Sequence, residues 1–367
     1  METCYIVRGD VAYIGHQPED VIRGNAREWP KLQNLLEKTQ KSSSSSKHPS
    51  GFLAGFFAYD GSFEFSLYQD YQVVPLPEKK IQLIKKKTGL WQEHINQAFY
   101  MQMVSQAKEY IKAGDIYQVN LARRSSTKTE NFDPWKFFQI LFAGTSAPQS
   151  MFYRGTDCTL MSASPELFLE IQGNHICTRP IKGTRPRYAS TEADKQSIET
   201  LLTSTKERAE LIMITDLERN DLGQVCVYDS VQVTELAQPY TFSHVHHLVS
   251  TIEGKLRPDI TPLEAIHACF PGGSITGAPK KRAMEIIEEL EPCPRGIYTG
   301  AMGYLGLDGS VYLNIGIRTA EWRNNELSFF TGSGITADSD PLEEYHETNH
   351  KATALIEAYE TYLHSAL

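Results

Sequence analysis

The 367-residue chain is long enough for two average domains or for one with a large core. Its hydrophobic (41%) and charged (22%) fractions are those of an ordinary globular protein, and no run of about 18 apolar residues offers a membrane span. A formal net charge of −9 disfavours nucleic acid as a partner, because phosphates demand clustered Lys and Arg.

In chain order, "METCYIVRGDVAY" lacks the basic-then-apolar order of a secretory leader. Cys4, Cys158, Cys177, Cys226, Cys269 and Cys293 are scattered without a C-x-x-C pair, the usage of a reduced, cytoplasmic protein. "KSSSSSKHPS" (41–50) is low-complexity and reads as a mobile loop. "GFLAGFFAYDG" (51–61) reads as a buried strand closed by a turn at Asp60-Gly61, and the basic run 79–87 as a solvated strand or loop edge. Met103, Val104, Ala107, Tyr110 and Ile111 form one stripe of a helix over 97–113, capped by Gly114. "DIYQVNLARR" (115–124) alternates as a strand. Strands and turns follow over 159–187, then a helix of about 30 residues over 191–220. Further strands are expected at 224–236, 297–305, 310–320 and 327–335, and a last helix at 342–364. Strand-rich stretches punctuated by long helices give an α+β class, without regular β-α-β alternation.

The last helix contains "HETNH" (346–350), which matches the H-E-x-x-H of zinc peptidases. On a wheel of about 100° per residue, Leu355, Ile356, Tyr359 and Leu363 define the apolar side. His346 and His350 fall opposite, toward water. Thr353 and Ile356 stand where the metzincin extension needs Gly and His. The zinc reading is therefore rejected. Glu344, Glu347 and Lys351 share one edge of the apolar side, and Glu207 and Glu210 form a second E-x-x-E pair. Each pair alone reads as a solvated acidic face, with like charges repelling at i, i+3. Yet Glu210 adjoins Leu211–Ile214, expected to be buried, and a buried carboxylate needs a partner. Two such pairs facing each other would offer an all-oxygen site to Mg²⁺.

Two glycine-rich segments read either as tight turns or as anion-binding loops. "PGGSITGAPKKRAMEIIEEL" (271–290) fails the Walker spacing but runs into a helix N-terminus. "FFTGSGITADSDP" (329–341) could present the Gly332 and Gly334 N–H groups to a carboxylate. In "RPIKGTRPR" (179–187), Lys182 lies among Arg179, Arg185 and Arg187. Most lysines are solvated, but neighbouring cations favour a neutral, nucleophilic amine.

Together, "SPELFL" (164–169), "ERAELIMITDLERNDLG" (207–223), "HLVSTIEG" (247–254), "GSITGAPKKRAMEII" (273–287), "YTGAMGYLG" (298–306), "IRTA" (317–320) and "GSGITADSDPLEEYHETNHKA" (332–352) resemble the chorismate-utilising enzymes. These include the anthranilate, aminodeoxychorismate, isochorismate and salicylate synthases. The resemblance implies a large two-sheet α/β sandwich with the active site between its layers. It implies a short N-terminal sheet portion over 1–95, intertwined with a catalytic portion over 96–367. It implies Mg²⁺ held by Glu210 and Glu347, with Glu207 and Glu344 acting directly or through water. Tyr298 and Arg318, helped by the Gly332 and Gly334 backbone, would hold the enolpyruvyl carboxylate. Lys351, His247, Thr276 and Gln118 would contact substrate, and Glu166 would be the general acid for the departing 4-hydroxyl.

Within the family, isochorismate and salicylate synthases resemble a sequence with a water-activating lysine where this chain has Gln118, and glutamine has no basic lone pair. Anthranilate synthases resemble "PIAGT" where this chain has "PIKGT". A lysine there is similar to aminodeoxychorismate synthase component I, in which it attacks ring C2 before ammonia adds at C4. Anthranilate synthase component I, and more remotely a non-catalytic chorismate-binding regulator, remain as alternatives. No glutaminase Cys-His-Glu unit is apparent, so ammonia would come from a separate glutamine amidotransferase subunit or from solution.

Overall fold

The alternation of "DIYQVNLARR" becomes the strand Gln118–Lys128, which runs antiparallel to Glu326–Ile335 over ten paired residues from Val119↔Ile335 to Lys128↔Glu326. The computed structural model describes residues 3–39, 48–78, 80–85, 89–188, 190–242 and 245–365. The Ser-rich segment over 41–47, and Lys79, Lys86 and Lys87 of the basic run, lie outside them. Residues 80–85 of that run form neither strand nor helix; Lys80 and Lys85 are exposed, while Leu83 packs on the core.

Two antiparallel sheets face each other. One runs Gly277–Ala278, Gln118–Lys128, Glu326–Ile335, Thr319–Arg323, Thr159–Ser164, Gln149–Arg154, Cys4–Arg8, Val11–Gly15, Gln72–Pro75, with Gln92–Glu93 also on Gln118–Lys128. The other runs Ile181–Pro186, Val245–Lys255, His175–Arg179, Leu167–Gln172, Val311–Ile315, Ala301–Gly306, Phe52–Phe57, Phe63–Tyr68, Asp20–Gly24, with Gln232–Thr241 also on Val245–Lys255. The α+β sandwich expected from the sequence is therefore present. Strands from residues 1–95 complete both sheets: Cys4–Arg8 pairs with Gln149–Arg154, and Phe52–Phe57 with Ala301–Gly306.

Period-two alternation divides each strand between two environments. Leu53, Phe57, Phe65, Leu169, Leu305 and Leu313 pack outward under Trp29, Leu222 and Ile266. Their neighbours Phe52, Ala54, Tyr68, Met302, Tyr304 and Tyr312 turn inward against Ile6, Tyr13, Met151 and Tyr153 of the facing sheet. The last helix, Pro341–Ser365, covers the first sheet with Leu355, Ala358 and Tyr359.

Helix Gln97–Ala113 forms as its stripe predicts: Met103, Val104 and Ala107 are buried, Tyr110 and Ile111 half-buried, and Gly114 caps it at φ +84°. Four expectations need correction. The helix over 191–220 is two helices, Thr191–Thr203 and Thr205–Gly223. Ser204 breaks it at ψ 103°, where its hydroxyl caps the second helix by accepting from Glu207 N–H. Within that second helix Leu211 and Ile214 are buried, but Ile212 is 44% exposed. The strand expected over 224–236 is Gln232–Thr241. The strand over 310–320 is two strands in different sheets, separated at Gly316–Arg318.

Candidate active site

The chain passes directly from one sheet to the other at two adjacent places. Thr159–Ser164 leads through Pro165-Glu166 into Leu167–Gln172, and Val311–Ile315 leads through 316–318 into Thr319–Arg323. The crossings are tied together: Ile315 N–H donates to Glu166 O at 3.1 Å and Ala163 N–H to Arg318 O at 3.0 Å. Glu166 and Arg318 are thereby held side by side between the layers. Arg318 takes φ +48°, a left-handed conformation uncommon for a non-glycine residue and concentrated at functional sites. Among the described residues its guanidinium has no ion pair, and burial lowers its pKa against the opposing charge of Glu166. Glu166 is 4% exposed. Burial raises its carboxyl, while Ser274, Lys182, the Ile181 N–H and Lys351 oppose that rise.

Lys182 donates to Ser274 O at 2.9 Å. Its neighbours are not the cations that the sequence suggested. Arg185 makes a two-bond pair with Glu207 (2.8 and 3.1 Å), and Arg187 holds Asp194 at 3.0 Å. The charges near Lys182 are carboxylates: Glu166, Glu210 and Glu347.

Of the second E-x-x-E pair, Glu210 comes within electrostatic reach of Glu347 and Glu344, while Glu207 pairs with Arg185. Burial first, then Glu347 and Glu344, raise the Glu210 carboxyl, while Lys182 and Lys206 lower it. Glu344 is buried; Ser339 donates to Oε1 at 2.6 Å, and Oε2 has no partner. Glu347 lies at the solvent edge, 2.7 Å from Lys351 Nζ, which also donates to Gly332 O at 3.0 Å. His346 and His350 are exposed, as the wheel requires. Among the described residues no three His, Cys, Asp or Glu side chains converge into a metal-ligand cluster. The donor chemistry still fits Mg²⁺: all three side chains offer only oxygen, Glu210 feels both Glu347 and Glu344, and Glu344 has an orphaned buried oxygen. Glu207 is engaged by Arg185.

Gly332 and Gly334 lie within the strand Glu326–Ile335, in register with Ala122 and Asn120, and not in a loop after it. Close approach explains both glycines. A Cβ at 332 would stand 2.7 Å from Tyr298 Oη, and one at 334 would stand 2.5 Å from Gln118 Nε2. Tyr298 occupies the turn before Ala301–Gly306 and stacks on Phe330 at 5.5 Å. Arg295 fixes that turn: it pairs with Glu291 at 2.7 Å, donates to Asn120 O at 2.6 Å and lies over the Tyr298 ring. Burial raises the Tyr298 phenol. Thr276 is fully buried, and its hydroxyl donates to Gly272 O at 3.0 Å. His247 Nδ1 lies 3.0 Å from Gly183 O, which can only accept, so Nδ1 carries the proton and Nε2 is a bare acceptor. Burial, then Arg318, lowers His247 to about 4, so the ring is neutral.

Among the described residues, Gln118 Oε1, His247 Nε2 and Glu344 Oε2 are buried without a hydrogen-bond partner, while Asn120 and Ser274 lie against Tyr298 and Glu166. Such atoms are rare in native interiors. The sequence reading missed Asn120 and Ser274. Period-two alternation from Gln118 could have found Asn120; Ser274 had no comparable signal. A cavity of about 450 Å³ opens beyond Tyr298, lined by Arg124, Arg295 and Phe330, and includes none of Lys182, Glu166 and Arg318.

The family model described as "chorismate binding enzyme" matches residues 66–357. An anthranilate synthase component I-like protein of Synechocystis is 47% identical over 262 residues, covering 71% of this chain and 54% of that protein. Aminodeoxychorismate synthase component 1 of Salmonella typhimurium is 44% identical over 273 residues, covering 74% and 60%. The chain thus spans a little over half the length of these curated relatives. The crystal structure of anthranilate synthase component I from Streptococcus pneumoniae superposes with a TM-score of 0.83 at 28% identity, covering 95% of this chain and 92% of that one.

Proposed function

The chain belongs to the chorismate-binding enzyme family; within that family, we propose that it is an enzyme acting on chorismate and makes 4-amino-4-deoxychorismate, as an aminodeoxychorismate synthase component I. The observation that carries this reading is Lys182 in "PIKGT", held at Ser274 O beside Glu166 and Glu210. A lysine amine there attacks ring C2 as the C4–O bond breaks, and Glu166 gives the departing oxygen its proton. Ammonia then bonds to C4 and the lysine leaves C2. While C2 is occupied, ammonia is directed away from the carbon that would lead to anthranilate. Gln118 supports the same reading, since it cannot activate water as a base. Arg318 and Tyr298 would hold the enolpyruvyl carboxylate, and neutral His247 would accept from the ring hydroxyl. Lys351 and Thr276 complete the substrate contacts. Glu210, Glu347 and Glu344 would hold Mg²⁺, with Glu207 as an outer partner; the ion supplies positive charge for the ring carboxylate when bound. Ammonia would come from a glutamine amidotransferase subunit, and the cytoplasm is the expected compartment.

The test is incubation with chorismate, Mg²⁺ and an ammonium salt at alkaline pH, with and without the pyridoxal-phosphate lyase that releases 4-aminobenzoate. Product appearing only with the lyase is expected. Fluorescent anthranilate without the lyase would favour the second reading, anthranilate synthase component I, which relatives of similar identity support. Glutamine plus an amidotransferase subunit replacing ammonium at neutral pH would support the partner.

A further inference from the structure

Lys182 is a long, rotatable side chain, and a backbone carbonyl holds its amine: Nζ donates to Ser274 O at 2.9 Å. A nitrogen that gives an N–H to that oxygen turns its other valences away from it. The place of Ser274 O therefore sets the direction in which the amine can attack, and a misplacement of about 1 Å is costly in such a step. Ser274 lies in the segment 270–279, which joins the helix Pro262–Cys269 to the helix Lys280–Leu290. Its own regular structure is slight: one 3-10 turn at Gly273–Ile275 and two strand residues at Gly277–Ala278.

One ion pair pins the base of this segment. Lys280 Nζ donates to Cys269 O at 3.0 Å and to Asp221 Oδ2 at 2.6 Å. It thus ties the two ends of the segment to each other and to the helix Thr205–Gly223, which also carries Glu210. Both side chains are largely buried, Asp221 at 8% exposure and Lys280 at 17%. After Ser274 the segment has outside anchors: Ile275 O accepts from Arg295 at 3.2 Å, and Thr276 O from Asn120 N–H at 2.9 Å. Before Ser274, the hydrogen bonds of Gly272 O and Gly273 O to the Thr276 hydroxyl stay within the segment. The polar tie on that side is the one at Lys280. A buried ion pair adds little net stability over apolar residues of its volume, because desolvation offsets its attraction. What this pair fixes is where the segment sits.

We infer that Asp221 and Lys280 form a positioning clamp, which holds the segment 270–279 so that Ser274 O aims the Lys182 amine at the substrate ring. The inference rests on the reading of Lys182 as nucleophile. In the step it serves, Lys182 Nζ bonds to C2, the ring double bonds shift, and the C4–O bond breaks. The oxygen leaves as water with the proton of Glu166, and the new C2-bound nitrogen gives one proton back to Glu166. Asp221 and Lys280 exchange no proton and act only through Ser274.

The experiment mixes the full chain with chorismate and Mg²⁺, without ammonia, and follows Lys182 by rapid quench and intact mass. Steady-state chorismate consumption with an ammonium salt supplies kcat and KM. Wild type should gain the mass of chorismate less one water, and Lys182→Ala should not. The double variant Asp221→Leu/Lys280→Met removes both charges together and should melt within about 3 °C of wild type. Its adduct should nevertheless form about 10²-fold more slowly, with KM for chorismate within about twofold. Since the two residues act as a unit, the double variant should be no slower than the worse of Asp221→Leu and Lys280→Met. Lys280→Arg keeps a charge and two donors and should recover most of the rate. A double variant with the wild-type adduct rate overturns the inference, and so does one that loses rate only as it loses fold or chorismate affinity. If a single variant misfolds around its lone buried charge, the double variant decides. Wild type without an adduct sinks the nucleophile reading and this inference with it; an adduct in wild type and unimpaired variants sink the inference alone.

Discussion

The two ends of the space between the sheets are lined by the same architecture in opposite states. At the N-terminal end Arg8 donates to Tyr304 Oη at 2.7 Å and to Glu170 at 2.9 Å, Ser66 bonds Tyr153 at 2.8 Å, and Phe52 stacks on Tyr13. At the other end Gln118 and His247 present buried polar atoms that have no partner among the described residues, and Arg318 is half-buried with no ion pair among them. The filled end stabilises the sandwich, and the other, unfilled by internal partners, carries a desolvation cost. Mutations should therefore separate activity from stability according to which end they touch.

The largest effect is expected at the unfilled end. Glu166→Gln should lower turnover by about 10²–10⁴-fold, the usual contribution of a general acid, with thermal stability unchanged or raised. A matching loss of stability would place Glu166 among the structural carboxylates. Phe52→Ala, at the filled end, should cost about 3–5 kcal/mol in urea unfolding and leave kcat near wild type while the chain remains folded. Tyr304→Phe, which removes one acceptor of Arg8 but leaves Glu170, should cost about 0.5–1.5 kcal/mol.

His247 gives the comparison a pH dependence. Its folded pKa is depressed to about 4 from an ordinary 6.5. The unfolded chain therefore binds a proton below pH 6.5 that the folded chain refuses. Stability from this group is present above 6.5 and is lost as pH falls toward 4, at no more than about 1.4 kcal/mol per pH unit. Denaturation between these limits should show a shallower slope for His247→Gln than for wild type; identical slopes would mean the ring is hydrated. The smallest effect belongs to the exposed histidines. His346→Ala with His350→Ala should change stability by less than about 0.5 kcal/mol and leave Mg²⁺ activation intact, whereas Glu347→Gln should weaken that activation severely. Loss of metal dependence in the histidine pair would revive the zinc reading.

Local patterns were legible where neighbours in sequence decide the outcome. The stripe and cap of Gln97–Ala113 depend on contacts within a few residues, and so does the placement of His346 and His350 on the wet side of the last helix. The long helix over 191–220 was misread because its apolar pattern continues across Ser204, where capping by a hydroxyl wins over continuation. Gly332 and Gly334 carried two readings, the end of the strand expected over 327–335 and an anion-binding loop, because glycine weakens strand propensity. Pairing with Gln118–Lys128 overrides that weakness, and Tyr298 and Gln118 need the space.

The sequence by itself determined which chemical groups are available and the local elements that carry them: Lys182, Glu166, Arg318 and the two E-x-x-E pairs lie in long motifs whose residue types state their chemistry. Tertiary structure decided their company. Glu166 and Arg318 are 152 positions apart in the numbering, and become neighbours only because two sheet crossings hydrogen-bond to each other. It also gave Lys182 carboxylates in place of arginines. The physical reason is that propensity and periodicity act over a turn of helix or a few strand residues. The burial of two sheet faces against each other joins residues without regard to their distance along the chain, and backbone hydrogen bonds at the crossings then fix which ones meet.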